Sequence, residues 1–142
     1  MHNRKSSTLQ LESISQPEKV KILILTETKT APKDFFFIRN FSNLIKIDLS
    51  HNKLSSFPQG FNFTVFKQLK TLFLHYNKFS SLNSLVVVSE SNSIIYLTLF
   101  GNPLEEAKTR HFFVNQMKNL MLMDDKIVLI SERNPGITIN EI

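Results

Sequence analysis

The sequence predicts an α/β solenoid: a curved parallel sheet of about four strands, closed at its C-terminal end by a helical cap. Three observations predict it. Asn52, Asn77 and Asn102 recur at a fixed interval of 25 residues. Each sits in the same apolar frame: Leu44-x-x-Ile47-x-Leu49-x-x-Asn52-x-Leu54, then Leu69-x-x-Leu72-x-Leu74-x-x-Asn77-x-Phe79, then Ile94-x-x-Leu97-x-Leu99-x-x-Asn102-x-Leu104. Beyond the third frame the apolar residues change to helical spacing. A fixed period of this size marks stacked coils, each too small to bury its own apolar face.

The elements follow in chain order. Residues 1–18 are polar, rich in Ser, Gln and Glu, and end near Pro17, which predicts a flexible N-terminal arm. Residues 19–130 form the repeat domain. Within it, 19–43 are a degenerate opening repeat, because Val20-Lys21-Ile22-Leu23-Ile24-Leu25 is a short β-branched run of the kind that forms a buried strand. A step of 25 residues back from the first frame puts Ile22 and Ile24 inward, Glu27 in place of the asparagine and Lys29 in place of the next leucine. The concave face then gains Leu23 and Leu25. A terminal coil has one side in water, so a weakened motif is expected there.

Residues 44–68, 69–93 and 94–104 are the full-motif repeats, each giving a strand at its L-x-L core: Ile47–Leu49, Leu72–Leu74 and Leu97–Leu99. The returning segments build the convex side with Phe57, Phe63 and Phe66, then Leu82, Leu85 and Val87 or Val88. The run Phe35-Phe36-Phe37, with Phe61 and Phe79, joins that layer. The asparagines are a structural ladder. A side-chain amide both donates and accepts, so it satisfies backbone groups where the chain leaves the strand.

Residues 105–130 are the cap. Pro103 suits an early helical position, and Glu105 and Glu106 suit the positive end of a helix. Phe113, Val114, Met117, Leu120 and Met121 follow at helical spacing, and Asp124-Asp125 suits the helix end. Arg110 and His111 are expected on its exposed side. Residues 131–142 are a tail, where Asn134-Pro135-Gly136 signals a turn before the alternating Ile137–Ile142. That piece is suited to dangle or to add to a partner's sheet edge.

Bulk properties narrow the function. The chain has 142 residues, net charge +5 and no cysteine. Disulfides, thiolate zinc sites and cysteine nucleophiles are therefore out. No apolar run reaches the roughly 18 residues of a membrane span, and Met1–Thr8 has no apolar core of a secretory signal. The expectation is a cytoplasmic protein. Lysine supplies most of the basic charge and is scattered, so it solvates the surface or steers weakly toward an acidic partner.

The frames match the leucine-rich repeat signature. Asn102-Pro103-Leu104, the basic pair Arg110-His111, then Phe113-Val114, Met117, Leu120 and Met123-Asp124, resemble the C-terminal cap of short intracellular leucine-rich repeat proteins. Those read N-P-L, a spacer, Y-R, V, L-P-x-L, L-D. This chain has Arg110-His111 where they have Tyr-Arg, and lacks the proline. Ile47-Asp48-Leu49-Ser50 with Asn52, and the string Leu97 to Glu106, resemble cilium-associated members. The resemblance covers about residues 44–128. It implies a binding role in a larger assembly and a place in the ciliary axoneme, with the nucleus as the alternative.

Stacking the repeats orders the residues between the leucines into concave rows: Lys46–Thr71–Tyr96, Asp48–Phe73–Thr98, Ser50–His75–Phe100 and His51–Tyr76–Gly101. Four aromatics on an open sheet face exceed what bare surface needs and suit a protein partner. The other reading is that they pack on one another, or lie under an arm of the same chain. The expected partner-binding residues are Lys46, Asp48, His51, Thr71, Phe73, His75, Tyr76, Tyr96, Thr98 and Phe100. His51 and His75 lack a third ligand for zinc. No phosphate loop or nucleophile motif is present. The function expected is a non-enzymatic interaction module, an adaptor or structural subunit, with no cofactor, metal, membrane or small-molecule substrate. Nucleic acid is the less favoured partner, because only Lys46 falls in the rows. The alternatives are an RNA-associated, spliceosome-like subunit or a phosphatase regulatory subunit.

Overall fold

The computed structural model describes residues 11–133, and the alternating piece Ile137–Ile142 lies outside them. Six strands form one sheet in sequence order: β1 (Ile22–Ile24), β2 (Lys46–Asp48), β3 (Thr71–Phe73), β4 (Tyr96–Thr98), β5 (Leu122–Met123) and β6 (Lys126–Ile127). The first five run parallel, and β6 turns back antiparallel. Each parallel strand exposes one residue, buries the next and exposes the third, so frame residues 47, 72 and 97 face the core. Leu44, Ile47, Leu49, Leu69, Leu72, Leu74, Ile94, Leu97 and Leu99 are all buried. Each such side chain contributes about 1.5–3 kcal/mol of apolar burial.

The sheet is wider than the four strands expected. After the cap helix, Leu120-x-x-Met123 repeats the spacing of Ile94-x-x-Leu97, and Met123 lies opposite Leu97. An apolar pair at that spacing extends the open sheet edge. Asp124 and Asp125 therefore do not end a helix. They are the two turn residues of the β5–β6 hairpin, with φ of 51° and 65°, the left-handed pair that a tight hairpin requires.

The first repeat is one residue shorter than expected. Leu23 pairs with Ile47, a step of 24, so Leu23 and Leu25 are buried while Ile22 is 46% exposed. This reverses the predicted faces, because a one-residue slip moves every strand side chain to the other side. The same slip moves the ladder residue. Thr28, not Glu27, fills the asparagine position: its hydroxyl donates to Leu25 O at 2.9 Å, as Asn52 Nδ2 donates to Leu49 O at 3.0 Å.

The returns are short helices packed behind the sheet. Helix α1 (Pro32–Ile38) starts where the Ala31 amide donates to Asp34 Oδ2 at 2.6 Å. It turns Phe35 and Ile38 inward, and its period leaves Phe36 62% exposed beside Arg39. Phe36 is thus not core. Single 3-10 turns follow at Phe63–Val65 and Leu82–Leu85, the latter running into α2 (Val86–Ser89). Phe57, Phe61, Phe63, Phe66 and Phe79 pack ring on ring, and Leu85 and Val88 take over in the next coil. Part of the segment expected to be a flexible arm belongs to the fold. Leu11 is 2% exposed at the start of a 3-10 turn, and Pro17–Lys19 form another.

The cap helix α3 (Glu106–Gln116) begins after Pro103. Glu105 caps it, accepting from Lys108 N at 3.0 Å. Phe113, Val114, Met117 and Leu120 are buried as predicted, whereas Met121 is 63% exposed because the helix has ended before it. Arg110 is not free surface. It ion-pairs with Glu132 at 2.7 Å and donates to the carbonyls of Met123 and Ile127. Arg133, at the end of α4 (Ile130–Arg133), donates to the carbonyls of Val114, Met117 and Leu120 that α3 and its exit leave open. Together they clamp the final hairpin and α4 onto the cap.

Candidate interaction surface

The ladder sets the register of the concave face. Asn77 Nδ2 donates to Leu49 O and to Leu74 O, both at 3.0 Å, while Asn77 Oδ1 accepts from Leu54 N at 3.1 Å. Asn52 does the same between Leu25 O, Leu49 O and Thr28 N. Asn102 joins Leu74 O, Leu99 O and Phe79 N. Each amide ties its own coil to the one before it, so neighbouring strands cannot slip. One residue ahead of each ladder position the backbone takes a left-handed φ: 54° at Glu27, 59° at His51, 57° at Tyr76 and 80° at Gly101. Glycine is needed at the last of these. A Cβ there would stand 2.4 Å from the Tyr76 ring.

With that register, the predicted rows assemble. Lys46, Thr71 and Tyr96 lie side by side, as do Asp48, Phe73 and Thr98. Tyr96 meets Phe73 edge to face at 5.2 Å, and Lys46 Nζ sits 4.7 Å above the Phe73 ring. His75 stacks on Phe100 at 4.5 Å with the planes 9° apart. Tyr76 completes the group, 5.4 Å from Phe100 and 4.8 Å from His51. The strip is continuous from Tyr96 to His51. The rings do pack on one another, and still Tyr76 is 50% and Phe100 39% exposed.

Two placements differ from expectation. Thr98 is only 2% exposed, since its hydroxyl is occupied by His75 Nδ1 at 2.7 Å and by Leu74 N. It supports the surface without presenting itself. Ser50 is buried too, with its hydroxyl donating to Asp48 Oδ1 at 2.6 Å. Sequence reasoning also missed the far border of the strip. Tyr96 donates its hydroxyl to Asp125, and Asp124 Oδ1 accepts from Leu99 N and Phe100 N. The repeated Leu120-x-x-Met123 spacing and the following acidic pair were the signal for that border.

The electrostatics are local. Burial lowers the His75 imidazole below its ordinary 6.5, against the opposing pull of Asp48. The hydrogen bond to Asp125 pushes the Tyr96 phenol up to about 12. His51 and His75 meet edge to face at 5.5 Å, and among the described residues no three His, Asp or Glu converge as metal ligands. Among those residues, too, no helix is long and apolar enough to cross a membrane. A surface with rigid rings and few reactive groups suits binding, not bond-breaking.

Comparison with known proteins agrees with this architecture. A family profile described as Leucine Rich Repeat matches residues 43–63. The fold is a leucine-rich repeat solenoid. The leucine-rich repeat region is 35% identical over 92 residues to mouse Leucine-rich repeat and IQ domain-containing protein 3, and 33% identical over 96 residues to the human protein of that name. These matches cover 64% and 67% of this chain but only 14% and 15% of those proteins. The chain therefore spans about one seventh of the curated relatives it matches. Among solved structures, a chain of the Drosophila melanogaster SNF/U2A' complex aligns with a TM-score of 0.69 at 15% identity, covering 83% of this chain and 67% of that one. A Leptospira interrogans leucine-rich repeat protein aligns at 0.61 and 23% identity, covering 81% and 28%. At such identities the likeness is one of fold.

Proposed function

We propose that this leucine-rich repeat chain is a non-enzymatic protein–protein interaction module, an adaptor or structural subunit that holds a helix or loop of its partner on the concave strip. The observation that carries this reading is the continuous run Tyr96–Phe73–His75–Phe100–Tyr76–His51, open to solvent on a sheet whose register the ladder locks. Rings held in place lose little freedom on docking, so more of their contact energy reaches the affinity. Concave sheet faces are the surfaces that solenoids of this kind offer.

We place the assembly in the ciliary axoneme, within the cytoplasm. The support is resemblance: Ile47-Asp48-Leu49-Ser50 with Asn52, and Leu97-Thr98-Leu99-Phe100-Gly101-Asn102-Pro103-Leu104-Glu105-Glu106, are similar to leucine-rich repeat-containing protein 51, a cilium-associated protein. The test is retention on detergent-extracted axonemes. The tagged chain is expected to stay bound, and Phe73→Ala plus Tyr96→Ala to release it while the thermal transition persists. Equal retention of the double variant removes the concave strip from the reading. Failure of the unaltered chain to be retained removes the axoneme.

A further inference from the structure

His51-Asn52-Lys53 and Tyr76-Asn77-Lys78 place a ring, a ladder amide and a lysine at the same point of two successive coils. The first coil supplies the third lysine, because Lys29 follows Thr28, its ladder residue. Along the sequence these lysines look scattered. Stacking converts them into a row, with neighbouring coils about 4.8 Å apart. All three are exposed, and among the described residues none is in an ion pair. Like charges at that spacing repel, so the row favours an anionic ligand.

The row has company. A groove of about 600 Å³ lies along it, lined by Glu27, Lys29, Thr30, His51, Asn52 and Lys53. Glu27 is the acid of that lining. On the concave side of the lysines runs a second row, of rings: His51 tilted over Tyr76, and Tyr76 edge-on to Phe100, the latter two well exposed. An acidic peptide would satisfy the lysines and leave the rings unused. A phosphate backbone with its bases turned to one side uses both rows.

We propose that this edge binds single-stranded nucleic acid, with phosphates along Lys29, Lys53 and Lys78 and bases against the exposed rings of Tyr76 and Phe100. A positive rail beside stacking rings is how sequence-tolerant single-strand binders work. The edge lies one position beyond the ladder, outside the concave rows, so it was invisible while only those rows were considered. It is independent of the concave protein partner.

Fluorescence anisotropy on the full chain tests this, with a labelled oligouridylate of about 12 nucleotides. Saturable binding is expected at about 50 mM salt, weakening with a log–log slope near −2, from roughly −0.7 for each of three phosphates. Lys53→Ala brings the slope to about −1.4. Tyr76→Asn, a residue that tolerates the left-handed backbone, weakens binding about tenfold with the slope unchanged. Lys78→Ala repeats the slope measurement should either variant lose its thermal transition. No saturable binding at low salt overturns the proposal. So does an unchanged slope in the lysine variants, or a glutamate-rich peptide that binds more tightly than the oligonucleotide. The Phe73→Ala plus Tyr96→Ala chain keeps the oligonucleotide, which separates this site from the protein-binding strip.

Discussion

The hydroxyl of Tyr96 donates to Asp125 Oδ1 at 2.5 Å, joining the last full repeat to the hairpin that closes the sheet. Tyr96 is on β4 and Asp125 on the β5–β6 turn, 29 residues later. The bond fixes one end of the aromatic strip to the cap. Without it the Tyr96 ring is held only by Phe73.

This bond has a pH signature. The Asp125 carboxylate holds the Tyr96 phenol up near 12, above the ordinary 10.0. A raised folded value means that the contribution is whole below pH 10 and is lost as pH rises toward 12. Asp125→Asn removes the charge and brings the phenol back down. In a near-ultraviolet absorbance titration, one tyrosine is expected to ionise late in the native chain and earlier in Asp125→Asn. Identical curves for the two proteins rule out the bond in solution.

His75 titrates in the opposite sense. Its pKa is lowered from 6.5, first by burial under Phe100 and Thr98. A depressed value means that stability is present above 6.5 and is lost as pH falls through the folded value. Thermal unfolding is expected to show this acid loss, and His75→Phe, which retains a ring, to reduce it. The prediction fails if the variant and the native chain lose stability equally between neutral and mildly acid pH.

The ladder is graded by burial. Asn77 is 3% exposed and serves two carbonyls and one amide, so Asn77→Ala leaves those groups without partners or water. The expected loss is about 1–3 kcal/mol. Asn102 makes the same bonds but is half-buried, and water can replace part of them. Asn102→Ala is therefore expected to cost less. Urea unfolding at unchanged m-value measures both, and a larger loss at Asn102 contradicts the ranking.

How far the fold was readable depended on the length of each coil. The three full repeats share one period, so stacking at that period gave the faces of Lys46, Phe73 and Tyr96 correctly. The opening repeat carries no ladder asparagine to count from, and its 24-residue step turned Ile22 outward and Leu23 inward. The end of the cap failed for a different reason. Leu120 and Met123 satisfy both helical and repeat spacing, and only the open edge of β4 decides for a strand.

By itself, the sequence determined the solenoid, its ladder and the concave rows, because each coil must meet an identical coil at a constant step. What only the tertiary structure decided is how those rows are used. Thr98 sinks because His75 takes its hydroxyl, Tyr96 is tied to a turn 29 residues away, and Arg110 and Arg133 are drawn into the cap by carbonyls that no local pattern shows. Lys29, Lys53 and Lys78 become one charged edge for the same reason. Contacts across coils depend on which residue stands next to which in space, and a step of 24 or 25 residues separates them along the chain.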